Sequence, residues 1–147
     1  MQDKIHTNSG AKAYQRADQE DRIQEYMLWH RSLDRSLLML DIDAIEWRIS
    51  DSQIKAVGVF EITRVDRDKT VNEGYLQAIL DRFFQRDFQS KSAITVAQKL
   101  DTKAYITLYR QGCTEFWVYC LSKGKTGKWL HCPTPQQYEL FLKKGLK

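Results

Sequence analysis

Four acidic residues stand inside two apolar, strand-like runs. Asp41, Asp43 and Glu46 lie in the run that starts at Leu37, and Glu61 lies in the run that ends at Arg64. A polar turn around Ser50, Asp51, Ser52 and Gln53 separates them. Side chains of a strand alternate between faces, so Asp41 and Asp43 share one face and Glu61 shares a face with Thr63. If the runs pair as a hairpin, facing positions lie about 5 Å apart at Cβ, and carboxylates from both strands converge on one point. Crowded or buried carboxylates are costly unless something compensates them. A divalent cation that prefers hard oxygen ligands, Mg2+ or Mn2+, is one compensation. The other reading of the same residues is a solvated sheet face, because exposed acids are common on half-buried strands.

The elements around these acids must hold them. Upstream, a helix is expected to begin near Ser9, with its hydroxyl as cap, and to run toward Leu33 with a break near Asp18. Residues 1–8 read as a loose arm. Ile23, Tyr26, Met27, His30 and Leu33 have helical spacing and are expected to form a buried stripe. Downstream, Thr70 and Glu73 make a capping-box pattern for a helix whose core face is Leu76, Ile79, Leu80, Phe83 and Phe84. Ala93, Ile94, Val96, Ala97 and Leu100 mark a further helix. The period then changes: residues 104–109 and 115–121 read as strands, and residues 129–132 as a short one. Thr134 and Pro135 open a terminal helix, with Gly145 near its end. This order predicts an α/β fold: a single three-layer domain over residues 1–147, with a central mixed β-sheet flanked by helices.

The two acid-bearing runs resemble the core of the PD-(D/E)XK nuclease superfamily, the restriction-endonuclease-like fold that includes Holliday-junction resolvases. There an Asp follows an apolar strand, and a hairpin later comes a hydrophobic strand ending in Glu-x-Lys. Asp41-Ile42-Asp43-Ala44-Ile45 matches the first part, with Asp43 as the family Asp and Asp41 second to it. Val57 to Thr63 matches the second, with Thr63 in the place of the Lys. The resemblance covers roughly residues 11–121. It implies that Asp43 and Glu61 are metal ligands and that Ile62 supplies a backbone carbonyl. It also implies that a first-helix acid, Glu20 or Glu25, and a second-helix amide, Gln77, stand near the site. The cofactor it implies is Mg2+ or Mn2+, the substrate DNA, and the activity hydrolysis of phosphodiester bonds. Thr cannot supply the missing positive charge, though its hydroxyl can hydrogen-bond a water. Lys55 and Arg64 are near in sequence, but neither is a convincing substitute. A weakened relative that binds nucleic acid or a partner protein is therefore the alternative. Cutting both strands of a duplex with one site per chain would imply a homodimer.

Charge is unevenly placed. Residues 121–147 hold six lysines, including Lys123, Lys125 and Lys128, against one acid, Glu139, for a net +5. The other 120 residues hold 17 basic and 18 acidic side chains, a net −1. A basic segment of this kind attracts phosphate backbones, or simply keeps the chain soluble. Gly124 and Gly127 do not match a phosphate-binding loop, so no nucleotide cofactor is implied. No apolar run approaches the roughly 18 residues of a membrane span, and residues 1–12 lack the apolar core of a signal peptide. Three cysteines without a CxxC spacing suggest reduced thiols and a cytoplasmic protein. Cys113, Cys120, His131 and Cys132 do not have zinc-finger spacing.

Overall fold

The computed structural model describes residues 17–86 and 89–146. The chain divides into a unit ending at Met39 and a unit spanning Leu40–Lys147. The expected arm at residues 1–8 and the cap at Ser9 lie outside the described residues. In the first unit a helix, α1, spans Ala17–Arg31, and the expected break near Asp18 falls at the edge of the described residues. Ser32 closes it by returning both its N–H and its hydroxyl to the Trp29 carbonyl, at 3.0 and 2.6 Å. The expected buried stripe is not buried. Ile23 and Tyr26 are exposed, and Met27, His30 and Leu33 are only partly covered. Leu28 and Trp29 are exposed as well, so apolar residues stand around much of the helix and its spacing defines no single dry face.

The second unit is α/β, built on a five-stranded mixed sheet in the order β1-β2-β3-β4-β5. The strands are β1 (Ala44–Ser50), β2 (Gln53–Val65), β3 (Ala104–Arg110), β4 (Phe116–Cys120) and β5 (Leu130–Cys132). All neighbours are antiparallel except β2 and β3, which are parallel. A parallel pair needs a long crossover. Here it contains α2 (Glu73–Asp81), a π-helical turn at Arg82–Arg86, and α3 (Gln89–Lys99). After β4 a 3-10 segment covers Leu121–Thr126, and α4 (Pro135–Leu140) runs into a π-helical turn at Phe141–Gly145. No helix among the described residues is long and apolar enough to cross a membrane.

Local chemistry sets these elements. Asp51 and Ser52 form the two-residue β1–β2 turn, with φ of 50° and 65°; two positive φ values give the twist that fits a hairpin. The register slips once, because Glu46 faces Gly58 while Trp47 faces Ala56, leaving Val57 as the extra residue of a bulge. A Cβ on Gly58 would meet the Phe60 ring at 2.8 Å, so the backbone there must be bare. Asn72, not Thr70, caps α2: its Oδ1 accepts from the Tyr75 N–H at 2.8 Å. Thr134 does cap α4, in a reciprocal capping box with Gln137 and with Pro135 in the first turn.

Apolar side chains on both sheet faces are covered, which is why β3 reads as a continuous buried run. On the first face Val59, Val65, Ile106, Leu108, Trp117 and Tyr119 pack with Ile79, Leu80 and Phe83 and with Ala93 and Ala97 of α3. On the second face Phe60, Tyr105 and Val118 pack with Leu146 and with Tyr138, Phe141 and Leu142. Each large apolar side chain so buried contributes roughly 1.5–3 kcal/mol.

Candidate functional site

The first acid-bearing strand begins later than its apolar character suggests. Residues 37–42 are not strand, and β1 starts at Ala44. Asp41 and Asp43 therefore lie on the segment that leads into β1, not within it. This placement still brings Asp43 to Glu61. Ala44 faces Phe60, so the next position outward on β1's lead-in faces Glu61.

The two residues clasp each other through side chain and backbone. The Asp43 N–H donates to Glu61 Oε2 at 3.2 Å, and the Ile62 N–H donates to Asp43 Oδ2 at 2.8 Å. Ile62 thus meets Asp43 through its amide. Glu61 is 1% exposed, and its other oxygen, Oε1, is buried without a hydrogen-bond partner. Asp43 remains exposed. Burial pushes the Glu61 carboxyl from its ordinary value of 4.5 up to about 7. The Asp43 hydrogen bond opposes that rise, and the negative charges of Asp43 and Asp41 add to it. No cation enters this balance. The apolar surroundings follow from the alternation of β2: Val59, Glu61, Thr63 and Val65 share the first face, and Val59 and Val65 belong to its dry core.

Asp41 is exposed and reaches Glu61 only through its charge. Thr63 is half-buried on the same face as Glu61, two residues on. Glu46 pairs with Arg48 at 2.7 Å, and Arg48 also donates to the Leu142 carbonyl; these groups serve the second face. Gln77 is exposed and donates through Nε2 to Asp81 Oδ1 at 2.9 Å, one turn along α2. That bond commits its amide to its own helix. Glu25 is exposed on α1, and Glu20 belongs to the same helix.

A carboxylate oxygen that is buried, unpartnered and beside a second carboxylate suits a hard cation, and Asp43 and Glu61 would hold it. They are a minimal set. Among the described residues no group of three or more His, Cys, Asp and Glu side chains is arranged to hold a metal. The cysteines and His131 form no such cluster either, since His131 Nε2 is engaged by Glu115 Oε2 at 2.6 Å.

The basic residues lie elsewhere. Lys123 and Lys125 sit on the 3-10 segment after β4, and Lys128 follows it. Lys123 and Lys128 line a hollow on the second sheet face, and Lys125 does not. Lys103, just before β3, joins them there. The sequence reading missed Lys103, whose only signal was a cation immediately preceding a strand, and whose meaning depends on β3 pairing with β4.

No family model, curated protein or solved structure matches this chain.

Proposed function

We propose that the Leu40–Lys147 unit is a restriction-endonuclease-like core in which Asp43 and Glu61 hold Mg2+ or Mn2+ and which hydrolyses phosphodiester bonds of DNA. The observation that carries this reading is the Glu61 carboxylate, which is buried with one oxygen unpartnered and has Asp43, not a cation, as its neighbour. A structural acid in that place would be matched by Arg, Lys or a set of N–H donors. The order of elements supports the same reading: an acid leading into a strand, a hairpin, a crossover of helices, then a parallel strand.

A divalent cation held by Asp43 and Glu61 would polarise the scissile phosphate and lower the pKa of a coordinated water. The chain's own residues do the rest. Asp43 and Glu61 fix the cation's place on the sheet, and the clasp to the Asp43 and Ile62 amides fixes the two carboxylates. Glu61 must be ionised to bind, so its raised pKa makes cation affinity climb with pH to about 7 and level off above it. Thr63 offers a hydroxyl, not an ammonium, at the position two residues on.

The test is cleavage of duplex, branched and single-stranded DNA with Mg2+ or Mn2+, alongside Mn2+ titration by calorimetry. Wild type should cut at least one substrate, and Asp43→Asn should lower the rate by about 100-fold or more, the scale of a lost electrostatic contribution at a reacting centre. Asp43→Ala and Glu61→Ala should each abolish Mn2+ binding. Unchanged binding in both would remove the site. The second reading, a binding module without catalysis, is favoured by Thr63, which leaves the site without a cation of its own. It prevails if metal and DNA bind and no substrate is cut.

A further inference from the structure

The lysine-lined hollow is a second feature, separate from the carboxylates. It has a volume of about 210 Å3 and is lined by Lys103, Lys123, Lys128, Tyr105, Cys120 and Phe141 among others, with no acid in its wall. None of the three lysines forms an ion pair among the described residues. Gathering unpaired ammonium groups around one small space is unfavourable until an anion enters it.

The backbone that carries Lys103 and Lys123 is tied down, unlike that of a solubilising tail, and the lysine side chains are exposed. The Ala104 N–H donates to Ser122 Oγ at 2.9 Å, tying the loop to the start of β3. The Tyr119 hydroxyl donates to the Gly124 carbonyl at 2.5 Å, and Thr126 Oγ1 donates to the Lys123 carbonyl at 2.8 Å. Gly124 has φ of 62°, and a Cβ on Gly127 would press the Tyr119 ring at 3.1 Å. The loop is therefore shaped around its glycines and pinned at three points.

The remaining wall is aromatic. Tyr105 stacks on Phe60 at 5.2 Å and meets the Phe141 edge at 5.7 Å. Burial holds the Tyr105 phenol up at about 12, so it stays neutral and keeps its O–H as a donor. A hollow of this volume admits a phosphate and an attached sugar.

We propose that this hollow binds a terminal phosphate group, borne by a free nucleotide or by the end of a nucleic-acid strand. The inference rests on the nucleic-acid reading above only for the strand as carrier; the phosphate chemistry stands without it. The test titrates the full chain, in EDTA, with deoxycytidine, deoxycytidine 5′-monophosphate, and a six-nucleotide single strand with and without a 5′-phosphate. EDTA removes any phosphate binding routed through a cation at Asp43 and Glu61, so the outcome is independent of the cleavage assay. The monophosphate should bind and the nucleoside should not. Lys103→Gln and Lys128→Gln should each weaken binding about tenfold, the size of one charge-assisted contact. Lys125→Gln and Lys143→Gln, which remove the same charge outside the hollow, should change it less than about twofold. Tighter binding of the phosphorylated strand than of the monophosphate identifies a strand end; equal affinities identify a free nucleotide. No binding in EDTA, or equal losses for Lys125→Gln and Lys103→Gln, overturns the proposal.

Discussion

Glu61 and Glu115 are two acids of the same sheet with opposite surroundings. Glu115 stands one residue before β4 and is three-quarters covered. Arg110 Nε donates to its Oε1 at 2.8 Å, and His131 Nε2 lies 2.6 Å from its Oε2. Arg110 and His131 are themselves set against the Trp117 ring, at 5.3 and 5.2 Å. Arg110 also donates through Nη1 to the carbonyls of Asp66, Arg67 and Lys69. Burial works against ionisation of Glu115, but the hydrogen bonds and charges of Arg110 and His131 outweigh it and hold the carboxyl below its ordinary range. Glu61 has the burial without the cations, and its carboxyl moves the other way. The contrast separates an acid that ties the fold together from one that the fold merely encloses.

Removing the cation from the satisfied acid should have the largest effect on stability. Arg110→Ala leaves Glu115 with His131 as its one partner and the three loop carbonyls without their shared donor, and should destabilise the chain by about 3 kcal/mol in urea unfolding. A loss under about 1 kcal/mol would mean that water replaces the guanidinium freely.

Glu61→Gln should act in the opposite direction. The folded-state pKa of about 7 lies above the ordinary 4.5, so between those values the unfolded chain loses its proton first. The contribution of Glu61 is full below about pH 4.5, falls as pH rises to about 7, and stays low above it. Glu61→Gln should remove this slope and gain about 2 kcal/mol at pH 8 without divalent ions, while matching wild type at pH 4. Mn2+ should stabilise wild type and not the variant. A wild-type profile without the slope would show that Glu61 is solvated.

Thr63→Lys supplies Glu61 with the cation that it lacks. The Glu61 carboxyl should fall by about one pKa unit, or roughly 1.4 kcal/mol, as read by carboxyl carbon NMR in the absence of metal. On the nuclease reading Mg2+-dependent cutting should also rise, because the ammonium lies on the face of Glu61 where negative charge develops. Slower cutting in a folded, metal-loaded variant would assign Thr63 a role of its own. The smallest effect is expected for Glu115→Gln, a loss of about 1 kcal/mol at pH 7, since Arg110 keeps its three carbonyls. Its sign, opposite to that of Glu61→Gln under the same conditions, is the sharpest form of the comparison.

Much of this was written locally in the chain. The β-forming residues of 104–109, the helical faces of Ile79, Leu80 and Phe83 and of Ala93 and Ala97, and the Thr134 capping box all follow from near neighbours in sequence. The meeting of Asp43 with Glu61 needs more than the Asp51-Ser52 turn, whose register alone would set Asp43 opposite Phe60; the extra residue at Val57 moves it to Glu61. Most of what was not legible depends on distant partners. One miss is local: Thr70 and Glu73 have the residues of a capping box, yet Asn72 is the cap, with the same three-residue reach, to Tyr75. The bulge at Val57, which shifts the register between Glu46 and Trp47, carries no turn residue that announces it. The dryness of Glu61 requires β3 in parallel register and helices on the first face, and Arg110 finds Asp66 and Lys69 only across the crossover. The apolar residues of α1 have helical spacing, but their cover is not set by spacing.

The clasp between Asp43 and Glu61 links residues 18 apart, whereas the cover over Glu61 comes with β3 and the crossover helices. Contacts close in sequence cost less loop entropy and form sooner. During folding the acid pair should therefore assemble on the hairpin while still wet, and become dry only when the crossover docks. The protonation of Glu61 is then a clock for that docking. A refolding rate that slows as pH rises from about 4.5 to 7, in wild type and not in Glu61→Gln, would time the moment at which water leaves the hairpin.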